Sequence, residues 1–223
     1  MFAVLPIVIL AADISPGDIR WQNILMDLFF ADITPQHLRG LSESSFTDPG
    51  HNDYCTGFWK GISCSGATVT EIAYAERAVG AFRFHELPPT IKRLSISDCQ
   101  QTARLHTRRL PRELVILSLS KNQIHGSIDL TTLPPPLKKA FLWNNLLTDP
   151  ISLCHLPVHL ILLELQGNRI SQKVVWYDNM PETIRTIQLQ YTDQTKIGKV
   201  LAVNPKKAVS SHVFFGMRDG SVQ

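Results

Sequence analysis

Histidine and cysteine are the residue types in this sequence whose spacing is compatible with a metal site or a disulfide. His155 and His159 have the spacing of two metal ligands on one helical face, but Pro157 argues against a helix there. Zinc peptidases also require a glutamate directly after the first histidine, and His155 is not followed by one. Cys55 and Cys64 enclose eight residues, which fits no common zinc pattern. These two cysteines could form a disulfide, or they could be a redox-labile or metal-binding pair.

The chain carries no nucleophile elbow, phosphate-binding loop or paired acid–base signature. We therefore expect a protein that is not an enzyme and has no metal or cofactor.

A repeat of 23 or 24 residues occupies most of the chain. It is marked by five pairs, namely Leu87-Pro88, Leu110-Pro111, Leu133-Pro134, Leu156-Pro157 and Met180-Pro181. The segments that begin at Leu114, Leu137 and Leu160 follow the pattern L-x-x-L-x-L-x-x-N-x-L, with Ala140 at one leucine position. This is the leucine-rich-repeat pattern. It predicts an α/β solenoid with a parallel β-sheet on its concave face.

Six turns of this solenoid, which we call rungs one to six, are predicted. Their patterns begin at Val69, Ile91, Leu114, Leu137, Leu160 and Ile184. The asparagine that follows each strand is expected to pair with buried backbone groups and to form a ladder through Asn122, Asn145 and Asn168. Cys99 takes that position in rung two, where cysteine is an accepted substitute.

The regions outside the rungs have different compositions. Residues 1–12 are apolar and end in small residues, which predicts a signal peptide with the mature chain starting near Ala12 or Asp13. The alternatives to a signal peptide are an ordinary buried segment and a leader that is shortened because the start codon was wrongly chosen. The run is too short to span a bilayer, so we expect no stable membrane insertion of the mature chain. The predicted division is signal peptide 1–12, N-terminal cap 13–66, repeats 67–192 and C-terminal flank 193–223.

A capping helix is predicted from Ser15, with Pro16 at its first position and Asp18 in its first turn. Apolar residues fall on one face at helical spacing, namely Trp21, Ile24, Leu25, Leu28 and Phe29. A membrane-surface helix would show the same face, but Asp27 and Asp32 outnumber Arg20 on the polar side. We interpret this helix as the cover of the open first rung.

The segment Cys55-Thr-Gly-Phe-Trp59-Lys-Gly61-Ile-Ser-Cys64 follows this helix. It resembles the C-x-W-x-G-[VI]-x-C cap of extracellular leucine-rich-repeat proteins, best known from plant receptors, although three residues rather than one separate Cys55 from Trp59. The resemblance implies that Cys55 and Cys64 form a disulfide and that Trp59 packs over the first repeat. Cys99 and Cys154 are about two rungs apart, too far to bridge, and are expected to be buried thiols.

The repeat from Leu110 to Leu130 is similar to repeats of surface and secreted leucine-rich-repeat proteins of kinetoplastid protists. This resemblance implies a secreted or cell-surface recognition module without catalysis. The main alternatives are a carbohydrate-binding module and a fragment of a longer, kinase-type receptor.

The outward residues of the strands are expected to form the binding surface. Most are small and polar, but Phe141 and Trp143 of rung four point outward together. We predict a protein-binding site, with a glycan as the alternative ligand, at Ile116, Lys139, Phe141, Trp143, Leu162 and Glu164. A C-terminal segment folded over these residues, or a strand register shifted by one, would remove that site.

The charge of the chain is distributed unevenly. Residues 1–60 carry 3 basic and 7 acidic side chains, a net charge of −4, and residues 61–223 carry 19 and 12, a net charge of +7. The densest basic run extends from Arg104 to Arg112 and lies between two strands. We interpret it as a solvated outer face, because no interleaved aromatic residues or phosphate-binding glycines indicate nucleic acid.

Overall fold

The computed structural model describes residues 19–42, 53–148, 150–191, 196–218 and 220–223. The predicted signal peptide and the predicted helix start at Ser15, Pro16 and Asp18 lie outside the described residues. No helix within the described part of the chain has the length and apolar content needed to cross a membrane.

The described residues form two α-helices and thirteen strands. The helices are α1 (Ile19–Phe29) and α2 (Pro35–Leu41). The strands are β1 (Ile62–Ser65), β2 (Thr68–Ala75), β3 (Arg93–Ser97), β4 (Ile116–Ser118), β5 (His125–Ser127), β6 (Lys139–Phe141), β7 (Leu146–Thr148), β8 (Leu153–Cys154), β9 (Leu162–Glu164), β10 (Gln172–Asp178), β11 (Thr186–Gln188), β12 (Ile197–Ala202) and β13 (Phe214–Phe215). Short 3₁₀ turns, such as Thr107–Arg109 and Leu130–Thr132, join several of them.

The main sheet has the strand order β1-β2-β3-β4-β6-β9-β11-β13. β1 is antiparallel to β2, and each later pair is parallel. The middle apolar residue of each rung pairs with its equivalent in the next rung, and all six are buried, namely Ile72, Leu94, Leu117, Ala140, Leu163 and Ile187. Because alternate strand residues point to opposite faces, this register confirms the predicted parallel sheet.

The C-terminal residues continue both sides of the solenoid. Phe214 is buried and pairs with Ile187, so β13 adds a seventh parallel strand after the six predicted rungs. On the outer side, β10 lies between β8 and β12, and Val200 of β12 forms a bridge with Val222. The segment predicted as a C-terminal flank thus packs against rung six and extends its sheets.

The buried face of the capping helix α1 shares only Phe29 with the predicted face. Gln22, Met26 and Phe29 are buried, whereas Leu28 is 37% exposed, so the predicted position of Leu28 was wrong. The inward residue Gln22 accepts a hydrogen bond from the Val69 N–H (2.7 Å) and donates one to the carbonyl of Ala67 (3.1 Å). A polar residue on the inner face therefore attaches the helix to the first strand of the parallel sheet, and apolar periodicity alone does not reveal such a residue.

Trp59 lies where the cap resemblance implies, between the cap and the first rung. Its side chain is 4% exposed, and its ring centroid lies 5.2 Å from that of Phe30 and 4.5 Å from that of Tyr54. Phe30 in turn makes an edge contact with Tyr74 of β2, at 6.4 Å between centroids. The aromatic stack therefore closes the N-terminal end of the core.

Gly61 of the cap motif has a structural reason to be glycine. Its φ is +79°, and a Cβ atom there would collide with the Ala73 carbonyl and lie 2.6 Å from the Tyr74 ring. The close approach of the cap backbone to β2 therefore requires a residue without a side chain.

Cys55 and Cys64 form a disulfide, with 5.7 Å between their Cα atoms. This geometry excludes the metal-binding alternative for this pair. Cys99 is a buried free thiol, as predicted, whereas Cys154 is only half-buried, so its predicted full burial was wrong. Cys154 is the last residue of β8 in the outer sheet, and its sulfur lies 3.9 Å from the carbonyl oxygen of Trp176.

A thiol titration checks this assignment. The denatured, unreduced protein should contain two free thiols, from Cys99 and Cys154, and the reduced protein should contain four. Peptide mapping should recover Cys55 linked to Cys64. Four free thiols before reduction would contradict the disulfide.

Candidate functional site

The concave side of the main sheet presents three rows of side chains along the solenoid. The first row contains Glu71, Arg93, Ile116, Lys139, Leu162 and Thr186. The second contains Ala73, Ser95, Ser118, Phe141, Glu164, Gln188 and Phe215. The third contains the residues that follow each third apolar position, and three of its members, Ser120, Gln166 and Gln190, are buried rather than exposed.

The six predicted binding residues are neighbours in this surface, which we call the rung 3–5 site. Ile116 pairs with Lys139, which pairs with Leu162. Phe141 pairs with Glu164. Lys139 is exposed and the other five are half-buried. Because paired strands lie about 4.8 Å apart, the predicted residues form one continuous patch.

Trp143 is half-buried and is not a core residue. The ammonium group of Lys121 lies 5.4 Å from the centre of its ring, within the range of a cation–π interaction. The backbone carbonyl of Trp143 accepts hydrogen bonds from the Lys121 N–H (3.0 Å) and from the Asn145 side chain (3.3 Å). The indole is therefore held on a fixed backbone while part of its surface stays accessible.

The polar edge of this site contains an unused hydrogen-bond acceptor. Gln166 is 7% exposed, and its Oε1 atom has no hydrogen-bond partner among the described residues. Partial burial raises the pKa of the neighbouring Glu164 carboxyl, and a hydrogen bond from Gln166 opposes that shift. Because this oxygen is buried, it is, within the described residues, an unpaired acceptor in the interior of the site and not a contact point for a partner.

Two features of this surface were absent from the sequence-based prediction. The Tyr191 hydroxyl donates a hydrogen bond to Asn144 Oδ1 (2.9 Å), so this tyrosine extends the rim next to Trp143. Phe215 is 59% exposed and pairs with Gln188, which places a further aromatic ring at the C-terminal end of the second row. Tyr191 lies at a variable position of rung six, and Phe215 lies beyond the predicted repeats. The period therefore gave no signal for either residue.

The asparagine ladder lies directly beneath the site. Asn145 is buried, accepts a hydrogen bond from the Ile124 N–H (3.0 Å) and donates to the carbonyls of Leu119 and Leu142 (2.8 and 3.1 Å). Asn122 and Asn168 make the equivalent bonds in their rungs. The predicted ladder is confirmed, and through Trp143 it fixes the backbone of the candidate site.

Rung two departs from this ladder. The Cys99 thiol contacts the carbonyl oxygen of Ser97 (3.3 Å) and has a hydrogen bond with the backbone of Arg77, but it carries no amide. Gln101 instead accepts a hydrogen bond from the Phe82 N–H (2.8 Å) and donates to the carbonyl of Gly80 (2.7 Å). A glutamine two positions later thus supplies the side-chain amide that the repeat pattern assigns to position 99.

The histidines that could have bound a metal do not form a site in the described residues. His155 and His159 are both exposed, and His155 has a positive φ of 60° instead of a helical conformation. The described part of the chain contains no group of three or more histidine, cysteine or acidic residues that could hold a metal ion.

Comparison with known proteins identifies the architecture. No protein-family model matches the chain, and no curated protein has significant sequence similarity to it. Among solved structures, it is similar to Pollen Receptor Kinase 3 (TM-score 0.52, 20% identity, 78% of this chain and 95% of that one). The fold is a leucine-rich-repeat solenoid with an N-terminal helical cap.

Two further structures share this fold, and both come from Arabidopsis thaliana. The BIR2 ectodomain matches with a TM-score of 0.53 and 18% identity over 80% of this chain and 93% of that chain. The ectodomain of the receptor kinase GASSHO1/SCHENGEN3, solved in complex with CASPARIAN STRIP INTEGRITY FACTOR 2, matches with a TM-score of 0.50 and 19% identity over 81% of this chain and 23% of that chain.

Proposed function

We propose that the protein is a non-enzymatic recognition module that binds a protein partner through the rung 3–5 site. The observation that carries this proposal is the pair Phe141 and Trp143, which stand partly exposed in the middle of the concave sheet. Clustered aromatic side chains of this kind dominate the binding energy of protein interfaces. The exposed ammonium group of Lys139 and the half-buried carboxylate of Glu164 add polar groups for contacts with the partner.

The proposed place of action is the cell surface or the extracellular space. A disulfide between Cys55 and Cys64 supports this location, because disulfides persist in oxidising compartments. The solved neighbours are ectodomains, and the GASSHO1/SCHENGEN3 ectodomain was solved with a bound factor. The more specific resemblance to kinetoplastid surface proteins stays a prediction.

Substitution of Trp143 by alanine tests the proposal. We would first identify partners by capture from extracellular and cell-surface fractions, and then measure the affinity of the purified pair. Trp143→Ala should weaken binding by about 2 kcal/mol or more, which is about 30-fold, because an interface aromatic residue is lost. The melting temperature should stay nearly unchanged, because the ring is not part of the core.

Trp176 offers a matched control on the outer sheet. Its side chain is 47% exposed in β10, far from the concave rows, so Trp176→Ala should bind the partner as the unmodified chain does. A Trp143→Ala variant that is stable and binds normally would contradict the proposal. So would a loss of about 3 to 5 kcal/mol of stability, which indicates a core position.

A carbohydrate ligand is the second candidate, and the partly exposed indole of Trp143 favours it as well as a protein. The Glu164 carboxylate could accept a hydrogen bond from a sugar hydroxyl while the indole stacks on the sugar ring. Enzymatic removal of glycans from the captured partner separates the two. Unchanged affinity would favour the protein surface, and loss of binding would favour the sugar.

A further inference from the structure

A shallow cavity of about 260 Å³ lies on the outer side of rungs two and three, away from the concave rows. We call it the lateral cavity, and its polar lining includes Arg104, His106, Arg108, Ser127, Asp129 and Thr132. These residues belong to the segments between main-sheet strands, including β5 and two 3₁₀ turns. The proposed concave-face function makes no use of them.

The charge of the lateral cavity is predominantly positive. Two guanidinium groups, from Arg104 and Arg108, contribute to the same wall, and Arg109 and Arg112 follow in the same run. Arg108 lies 3.9 Å from the Asp129 carboxylate, a long contact between exposed side chains. Within the described residues no ion pair engages Arg104 or Arg109.

The position of Arg104 is set by the backbone of the next rung. Arg104 forms a parallel β-bridge with His125, and its side chain lies against Gly126. A Cβ atom at Gly126, where φ is +83°, would lie 2.8 Å from Arg104 Nε. The glycine therefore leaves room for the guanidinium beside the cavity.

The other polar groups of the lateral cavity are suited to hydroxyl groups. Asp129 Oδ1 accepts hydrogen bonds from the Thr131 N–H (3.0 Å) and hydroxyl (2.5 Å), so the carboxylate is held in place with Oδ2 towards Arg108. The Thr132 hydroxyl is tied to that of Thr107 (2.6 Å). Ser127 adds a further hydroxyl to the wall. The cavity thus combines oxyanion-binding guanidinium groups with a fixed acceptor.

We propose that the lateral cavity binds a sulfated carbohydrate chain. The planar guanidinium groups of Arg104 and Arg108 bind the sulfate oxygens in pairs, and the sugar hydroxyls donate to Asp129 and Ser127. Asp129 favours an anionic group that is attached to a hydroxyl-bearing chain, because its fixed carboxylate accepts hydrogen bonds from hydroxyl groups beside the two arginines. The cavity lining also lacks a phenylalanine, tyrosine or tryptophan ring on which nucleic-acid bases could stack.

The test compares two variants that each remove two positive charges. Arg104→Gln/Arg108→Gln changes the cavity, and Lys199→Gln/Lys206→Gln changes exposed lysines near the C terminus. Binding to a highly sulfated heparin-type oligosaccharide is measured by calorimetry for both. The cavity variant should bind about tenfold more weakly, since two charge-assisted contacts are lost, and the lysine variant should change by less than about twofold.

Three control ligands decide the ligand class. The desulfated oligosaccharide should not bind, inorganic sulfate should compete only at far higher concentration, and phosphatidylserine vesicles should not bind through the two arginines. The proposal would be overturned if both double variants weakened binding equally. It would also be overturned if inorganic sulfate competed fully at matched concentration, or if the protein bound the vesicles through the two arginines. If the double variant melts early, Arg108→Gln alone provides the test, because that side chain is 79% exposed.

Discussion

Replacing Trp59 with alanine is expected to lower the free energy of unfolding by about 3 to 5 kcal/mol, the cost of removing a large aromatic side chain from a core. Trp59 is 4% exposed and stacks on Phe30 and Tyr54, so its removal leaves a cavity between the cap and the first rung. Chemical denaturation monitored by circular dichroism measures the change. The cap is the part of the chain that should loosen first.

Phe58 provides the control for this experiment. It is the adjacent aromatic residue and is 52% exposed, so Phe58→Ala should change stability by no more than about 0.5 kcal/mol. Equal and small effects at the two positions would show that Trp59 does not close the core.

Replacing Asn145 with leucine is expected to cost about 3 kcal/mol, because several buried backbone groups lose their partner together. The groups are the N–H of Ile124 and the carbonyls of Leu119, Leu142 and Trp143. Leucine has the same branching of side-chain heavy atoms as asparagine but is larger and offers no donor or acceptor. The midpoint of denaturation should fall accordingly.

Gln123 is the matched control for the ladder. Its side chain is exposed and makes one long hydrogen bond, from the Thr102 hydroxyl (3.4 Å), so Gln123→Leu removes an amide without leaving buried groups unpaired. We expect a change within about 0.5 kcal/mol. An Asn145→Leu variant as stable as the Gln123→Leu variant would reject the ladder as a source of stability.

The ladder residues were predictable from the sequence because every rung leaves equivalent buried backbone groups without a partner after its strand. A strand turns, buried backbone groups remain, and an amide at a constant position satisfies them, as at Asn122, Asn145 and Asn168. Gln101 was not predictable in this way. It pairs with buried backbone groups from another position of the repeat. This pairing depends on where the backbone of Gly80 and Phe82 lies in three dimensions.

The capping helix illustrates the same limit. Helical spacing correctly indicated a helix with Phe29 on its buried side, because periodicity follows from local geometry. It misplaced Leu28, because the inner face is set by the hydrogen bonds of Gln22 to the backbone at Ala67 and Val69, more than forty residues later. Apolar spacing carries no information about such a partner.

The sequence alone was sufficient for the repeat, its register and the grouping of Phe141 and Trp143 on one surface, because residues 23 positions apart become strand neighbours in any solenoid of this period. Only the tertiary structure placed Phe214 and Phe215 in a seventh strand, left the buried oxygen of Gln166 unpaired among the described residues and formed the lateral cavity. Each of these depends on contacts between segments that share no repeat position, and so on the packing of the whole chain.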